Sequence, residues 1–460
     1  MSTAAVLHPT ESIPAQHRNS GQWTTTRIPP SNSTLPNRSG VYHARPKGWQ
    51  TDPEREVWTL ADLELDEHVN RDQITKQLKE SLELTLSQAR TLTGTLKKRD
   101  GRVQIVKTRD SAAPFIVKYS DEHNIKISID DQAAEFPPAL VREAASLDEM
   151  GDLHTNTVTS SCPASVFQTT WIPGGMILTT SFHHYCIDGG GFQAFLKEWR
   201  DNALSLATGL NRGRLNGKPV PKEHQLDAPP PPPPMVLPLV RRGEPLLSVV
   251  VQLSQANADR LKAAAQPATG FVSTYDAVTA LLWRAHTRAR LSICNPEPGE
   301  FSPHGTAVDL RKRFTPPLPA QLQANATTAI LTGRPVQDLA TLIRRSHTGA
   351  TEQAALGKAN MVAALKDKSR ATWDLDEAVP RFSTAMSDRR NAGWYDMDFG
   401  FGPPVALRNV NQPVERTMMR MLPARPGRDG VEVQVPVEVA CLDSFVRDVE
   451  LLRYAEVACT

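Results

Sequence analysis

No stretch of the 460 residues approaches the roughly 18 consecutive apolar positions of a membrane span. Met1 to Thr10 has no basic segment running into an apolar core, so no secretory signal is expected. Cysteine is sparse. The five residues Cys162, Cys186, Cys294, Cys441 and Cys459 are scattered, odd in number and free of CxxC spacing. That pattern excludes a disulfide frame and a zinc site and reads as reduced thiols in a cytoplasmic protein. A charge excess is also missing. Lys+Arg is 52 against Asp+Glu 50, a net +2, whereas a general nucleic-acid or membrane-surface binder carries a basic surplus. There is no phosphate-binding GxxxxGKS or GxxxxGKT loop, no GxGxxG after a strand, no GxSxG elbow and no HExxH. No permanent cofactor and no metal is expected.

Proline is the residue in surplus. The chain holds 37, about 8% against a usual share of about 5%. Seven lie in residues 1–53, ten in 217–245 and six in 296–319. Residues 1–50 are rich in Ser, Thr, Asn and Pro and carry one acid, Glu11. Their prolines forbid the amphipathic helix of a transit peptide, so the segment reads as a disordered tail. Residues 217–245, with six prolines from Pro229 to Pro234, read as a stiff polyproline II crossover. It divides the ordered chain into residues 51–216 and 246–460, two domains of similar size.

Each half mixes helices and strands. Asp72 is placed to cap a helix whose Ile74, Leu78, Leu82 and Leu86 line one face. Ala164 to Trp171 and Met176 to His183 read as a hairpin turning at Pro173-Gly174-Gly175. A helix with Phe192, Phe195, Leu196 and Trp199 on one side follows at once. In the second half Ser273 with Asp276 resembles a capping box ahead of Val278, Leu281, Leu282, Ala285 and Ala289. Val431, Val433, Val435, Val437 and Val439 alternate strictly, and Pro436 among them predicts an edge strand or a bulge. Asp443 is expected to cap a last helix carrying Phe445, Val449 and Leu452.

The densest polar cluster is His183-His184-Tyr185-Cys186-Ile187-Asp188-Gly189-Gly190-Gly191, at a strand-to-helix junction. A neutral imidazole there has the chemistry to take a proton from a hydroxyl or amine. Packed polar residues on a strand would look the same. Far downstream stands Asp398-Phe399-Gly400-Phe401-Gly402-Pro403.

Together these segments resemble the HxxxDG and DFGWG signatures of the BAHD acyltransferases. The resemblance runs from about residue 55 to the C-terminus. It includes Ser273-Thr274-Tyr275-Asp276-Ala277 with Trp283-Arg284, Val308-Asp309-Leu310-Arg311, and Pro316 to Pro319 ahead of Asn325. The proline-rich tail and linker look like the fungal branch, which includes trichothecene O-acetyltransferase-like enzymes. The resemblance implies an α/β, two-domain chloramphenicol acetyltransferase-like fold, each domain a mixed β-sheet with flanking helices. It implies an acyl-CoA-dependent O-acyltransferase, with acetyl-CoA as co-substrate and a small-molecule alcohol or amine as acceptor. A monomer is expected, with no nucleic-acid or membrane partner.

By the same resemblance His184 is the general base, and transfer is direct within a ternary complex, without an acyl-enzyme. Asp188 points away from substrate and pairs with Arg311 to hold the loop. Gly189 lets the chain turn tightly. Asp398, Gly400 and Gly402 are a structural motif, with Phe401 where the family carries tryptophan. Ser387-Asp388 departs from the Ser-Trp of plant members, which leaves oxyanion stabilisation to another group, with Ser387 and Asn325 as substitutes. Arg311, Lys312 and Arg313 are candidates for the coenzyme's phosphates, or else a solvated basic run. Two other readings fit the same residues. One is a condensation-type enzyme (HHxxxDG) that forms amides or esters from a carrier-bound donor. The other is a non-catalytic ligand-binding relative.

Overall fold

The computed structural model describes residues 71–99, 102–108, 110–120, 136, 138–145, 161–184, 186–208, 245–296, 302–318, 339–354, 382–409 and 418–459. It also gives the backbone of strands at 2–4, 24–28, 40–43, 55–61, 239–241, 327–333 and 378–380. Asn325, singled out in the sequence, lies outside these residues.

The first half is built on a mixed sheet of seven strands. Their spatial order is Ala406–Asn409, Arg55–Ala61, Ser2–Ala4, Gly175–His183, Ser165–Ile172, Ala113–Tyr119 and Thr24–Ile28. The hairpin Ser165–Ile172/Gly175–His183 turns on Pro173-Gly174, and Gly174 has φ 77°, a conformation glycine takes without steric cost. Helix α1 (Arg71–Gln88) buries Ile74, Leu78, Leu82 and Leu86, one face at i+4 spacing. Helix α2 (Pro138–Ala145) packs on the other side of the hairpin. Helix α3 (Gly189–Thr208) lays Phe192, Phe195 and Trp199 against Phe167 and Phe182 of the sheet. Phe182 meets Phe195 edge-on at 5.0 Å and Phe167 meets Trp199 at 5.3 Å. Edge-to-face pairs of this kind add about 0.5–1.5 kcal/mol each beyond area burial. The indole of Trp199 is buried, and its Nε1–H donates to the Leu78 carbonyl (3.2 Å) and Ser81 Oγ (3.0 Å) on α1. A polar handle thus ties the two helices together across their apolar seam.

The second half repeats the plan. Its sheet runs Thr327–Gly333, Pro303–Asp309, Thr384–Asp388, Met418–Pro423, Val431–Glu438, Leu246–Leu253, Glu456–Cys459. Helices α4 (Gln255–Ala264), α5 (Thr274–Leu291) and α6 (Leu339–Gly349) cover one face. A full capping box starts α5: Ser273 Oγ accepts from Asp276 N–H, and the Asp276 carboxylate accepts from Ser273 N–H.

Five expectations are corrected. Residues 1–50 are not simply a disordered tail. Ser2–Ala4 pairs with Gly175–His183 and Arg55–Ala61, Thr24–Ile28 pairs with Ala113–Tyr119, and Gly40–His43 pairs with Arg102–Lys107. The β-branched Thr24-Thr25-Thr26 run suits a strand. Leu239–Arg241, inside the expected 217–245 crossover, pairs with Ala378–Pro380. The 246–460 unit is not closed on itself either: Ala406–Asn409 pairs with Arg55–Ala61 in the first sheet. Finally, Val431–Glu438 is no edge strand, since it pairs with Leu246–Leu253 on one side and Met418–Pro423 on the other. Pairing with Met418–Pro423 stops at Gln434, so Pro436 lies beyond it, and the Pro436 carbonyl accepts from His286 Nε2–H at 2.8 Å. At the C-terminus, Asp443 sits inside a five-residue helix, Leu442–Val446, whose side-chain cap is absent. That helix stops too early for the i+4 face to continue, which leaves Val449 and Leu452 exposed.

The strict valine alternation has a second consequence. Val431, Val433, Val435 and Val437 face α5, while Glu432 and Gln434 are buried on the opposite face against Ala406–Asn409. Gln434 Oε1 accepts from Asn409 N–H (3.0 Å) and its Nε2 donates to the Asn409 carbonyl (2.6 Å). Beside it Arg408 and Glu432, both without solvent exposure, pair at 3.0 Å, and Arg425 approaches the same carboxylate at 3.2 Å. Arg408 Nε–H also donates to the Phe136 carbonyl. Removing one partner of a buried pair leaves an uncompensated charge and costs about 3–5 kcal/mol. Glu432→Gln is therefore expected to lower stability by about that amount and the melting temperature with it, measured by urea unfolding and calorimetry.

Candidate active site

The strand Gly175–His183 delivers the polar cluster to the junction with α3. His183 N–H donates to the Ala164 carbonyl (2.9 Å), and Cys186 N–H donates to the His183 carbonyl (2.8 Å), closing a tight turn around His184. His184 is half-buried, whereas its neighbour His183 is almost wholly enclosed. Cys186 is buried packing.

Asp188 ends the turn and starts the helix. Phe192 N–H donates to its carbonyl and Gly191 N–H to its Oδ1 (2.9 Å), an N-cap. The same carboxylate, 0% exposed, receives Arg311 Nη2–H at Oδ1 (2.6 Å) and Nη1–H at Oδ2 (3.1 Å). Such a two-pronged, charge-assisted pair fixes geometry as well as energy. Asp309 completes it, accepting from Arg311 N–H and Nη1–H at 3.0 Å each. Burial works against the Arg311 charge, but the two carboxylates outweigh it and hold its proton above the ordinary arginine range. Asp188 is thus committed to the loop's architecture, with both oxygens occupied.

The glycines require correction. Gly189 does not adopt a positive φ, so a tight turn is not what excludes a side chain there. Space is. A β-carbon on Gly189 would stand 1.4 Å from Arg389 Nη1, and one on Gly190 would stand 2.5 Å from Arg311 Nη1. Two guanidinium groups from the second half lie against consecutive glycines of the first.

The basic run 311–313 is also corrected as a phosphate site. Arg311 is spent on Asp188. Arg313 Nη1–H donates to the carbonyls of His347 and Ala350 at the C-terminal end of α6, where a cation complements the helix dipole. Lys312 alone of the three is exposed. Ser387 is buried, and Asp388 forms an ion pair with Arg390 at 2.7 Å.

The Asp398 motif closes on itself. Asp398 Oδ1 accepts from the N–H groups of Gly400 (2.7 Å), Phe401 (3.1 Å) and Gly402 (2.9 Å). Gly400 and Gly402 have φ of 100° and 103°, values only glycine adopts without strain. Phe399 is buried against Trp199 at 5.2 Å, and Gln77 Nε2–H donates to the Phe399 carbonyl at 2.8 Å. The motif therefore docks onto α1 and α3 of the first half, behind the His184 loop rather than in it. Phe401 stacks on Phe399, a place any large aromatic fills.

Among the described residues no group of three or more His, Cys, Asp or Glu side chains is arranged to hold a metal, and no helix is long and apolar enough to cross a membrane. The residue that sequence reading missed is Arg389. Nothing in Asp388-Arg389-Arg390 distinguishes it from its neighbour, and only the fold separates the one that pairs locally from the one that crosses.

A family model described as Transferase family matches residues 63–452. A curated relative, "Acetyltransferase FGR3" of Gibberella zeae, is 28% identical, covering 90% of this chain and 93% of the relative. "Trichothecene 3-O-acetyltransferase TRI101" of Fusarium sporotrichioides is 26% identical over 64% of this chain and 68% of its own. The crystal structure of F. sporotrichioides TRI101 with coenzyme A and T-2 has a TM-score of 0.70 at 20% identity, over 91% of this chain and 99% of that one.

Two histidines outside the site set an acid limit on stability. Burial, with the Arg290 charge added, lowers His286 to about 4, and burial beside His347 lowers His304 to about 3. Both are neutral when folded, while an unfolded chain protonates them near 6.5. The unfolded state then binds more protons, so stability falls as pH drops from about 6.5 toward 4, by up to about 1.4 kcal/mol per pH unit per group. Thermal melts across that range are expected to show the fall, with a shallower slope in His286→Gln, whose amide can still reach the Pro436 carbonyl.

Proposed function

Since the chain belongs to the Transferase family, in the fungal branch of its BAHD acyltransferases, and is an acyltransferase, we propose that it moves an acetyl group from acetyl-CoA to a hydroxyl of a small secondary metabolite. The observation that carries this reading is the loop geometry. His184 alone of the cluster His183, His184, Cys186 and Asp188 is half-open, and Asp188 is fully engaged in holding the turn. The fold neighbour described with coenzyme A and T-2 supports a thioester donor and an alcohol acceptor.

In this mechanism an unprotonated ring nitrogen of His184 takes the acceptor hydroxyl proton as that oxygen attacks the thioester carbonyl. The tetrahedral intermediate collapses with cleavage of the C–S bond. The imidazolium returns its proton to the departing thiolate, so the products are an ester and free coenzyme A. No side-chain nucleophile is acylated, and donor and acceptor are bound together. Imidazole is the side chain whose chemistry suits both steps, as base and then as acid. Arg311 and Asp188 fix the loop, and exposed Lys312 is the one residue of the 311–313 run left to meet the coenzyme's phosphates.

The test is release of coenzyme A thiol from acetyl-CoA with a panel of hydroxylated acceptors, products identified by mass spectrometry. His184→Ala is expected to lose about 10²- to 10⁴-fold in kcat, the worth of a positioned acid–base group, with an unchanged melting curve. Wild-type turnover in that variant would remove His184 as the base. Turnover only with a carrier-bound donor would replace the coenzyme A reading with condensation chemistry.

A further inference from the structure

Strands Pro303–Asp309 and Thr384–Asp388 are parallel neighbours in the second sheet. Both run toward the first half, and each ends one or two residues before an arginine, Arg311 and Arg389. The two guanidinium groups land on Gly190 and Gly189, side by side at the first turn of α3. Arg311 has the Asp188 carboxylate for a partner. Arg389 brings a second cation to the same end of the helix, where it opposes the helix dipole. Helix stabilisation therefore gives no account of its place.

The backbone of Arg389 is clamped. Its N–H donates to the Met421 carbonyl (2.8 Å), and its carbonyl accepts from the buried Trp394 Nε1–H (2.7 Å). Trp394 in turn packs on Phe192 of α3, ring centres 5.6 Å apart. A rigid base thus presses a planar group onto the α-carbon of Gly189, five residues from His184 on a single loop whose other end is pinned by the Gly175–His183 strand.

We infer that Arg389 is a positioning residue for His184, acting through Gly189, and that Gly189 is glycine in this chain to admit that guanidinium. The inference rests on the acyl-transfer reading above. Arg389 holds the loop against the second half so that the imidazole stays in register with the acceptor oxygen. A displacement of about 1 Å in such a group costs up to about 100-fold in rate.

A double-mutant cycle on the full chain tests it. Arg389→Ala and Gly189→Ala are each expected to lower kcat about 10- to 100-fold while KM for acetyl-CoA stays within about twofold of wild type. The double variant should be no slower than Arg389→Ala alone, because an alanine at 189 does its damage by displacing the guanidinium. Melting curves supply a second readout: Gly189→Ala should lower the melting temperature, and adding Arg389→Ala should restore part of it. Wild-type kcat in Arg389→Ala overturns the inference. So does a double variant whose losses multiply, or whose melting temperature equals that of Gly189→Ala alone. If the unmutated enzyme releases no thiol with any acceptor, the acyl-transfer reading fails on that measurement, and the melting curves still decide whether the arginine occupies the space at Gly189.

Discussion

The buried pair between Asp188 and Arg311 is the constraint that the site depends on. One carboxylate caps the first turn of α3, receives both prongs of a guanidinium, and terminates the turn that carries His184. Because both oxygens are occupied and no part of it reaches solvent, this aspartate has no capacity left for proton relay. Its charge is consumed in shaping the loop. The contrast follows from burial: the enclosed acid builds the loop, and the imidazole is left half-open. An exposed ion pair would contribute little to such rigidity. This one is backed by the Gly191 N–H and by Asp309.

The same logic joins the halves elsewhere. Polar side chains at the junction are paired in ways that only the assembled molecule supplies. Gln434 completes the backbone of Asn409 as a neighbouring strand would, and Glu432 neutralises Arg408. The Asp398 loop satisfies its own backbone and offers Phe399, with Phe401 packed beside it, to the first core. Each device pairs polar groups as it buries them, which lowers the cost of placing such groups in an interior.

Much of this was legible in the chain. Helix faces were clear at Ile74–Leu86 and Phe192–Trp199, because apolar residues at i+4 leave little choice of buried side. The hairpin through Pro173-Gly174 and the capping box at Ser273 follow from local stereochemistry. The motif residues His184, Asp188 and Arg311 were found through a family resemblance, and the geometry places the latter two in contact. What could not be read was set by distant partners. Pro436 reads as an edge residue until the shorter neighbouring strand is seen to stop at Gln434. Nothing local announces the burial of Glu432 and Gln434, since the surface they meet comes from another sheet. The pairing of Arg311 with Asp188 was expected from the resemblance alone, and nothing local announces that Arg313 is taken up by the end of α6. Arg389 had no signature at all, its role being defined by the absence of a methyl group 200 residues away in sequence.

The short strand Ala406–Asn409 has a consequence for how the molecule breathes. The chain leaves the second sheet, adds a strand to the edge of the first, and returns to the second as Met418–Pro423. Such a stitch makes the two halves one mechanical body. A clamshell motion would have to peel this strand from Arg55–Ala61 or else break the Gln434 clamp. Ligands must then enter and leave through side-chain and loop rearrangements at the rim of a fixed frame. The molecule behaves as a rigid gate-post rather than a hinge, and its halves are not modules that recombination could exchange intact.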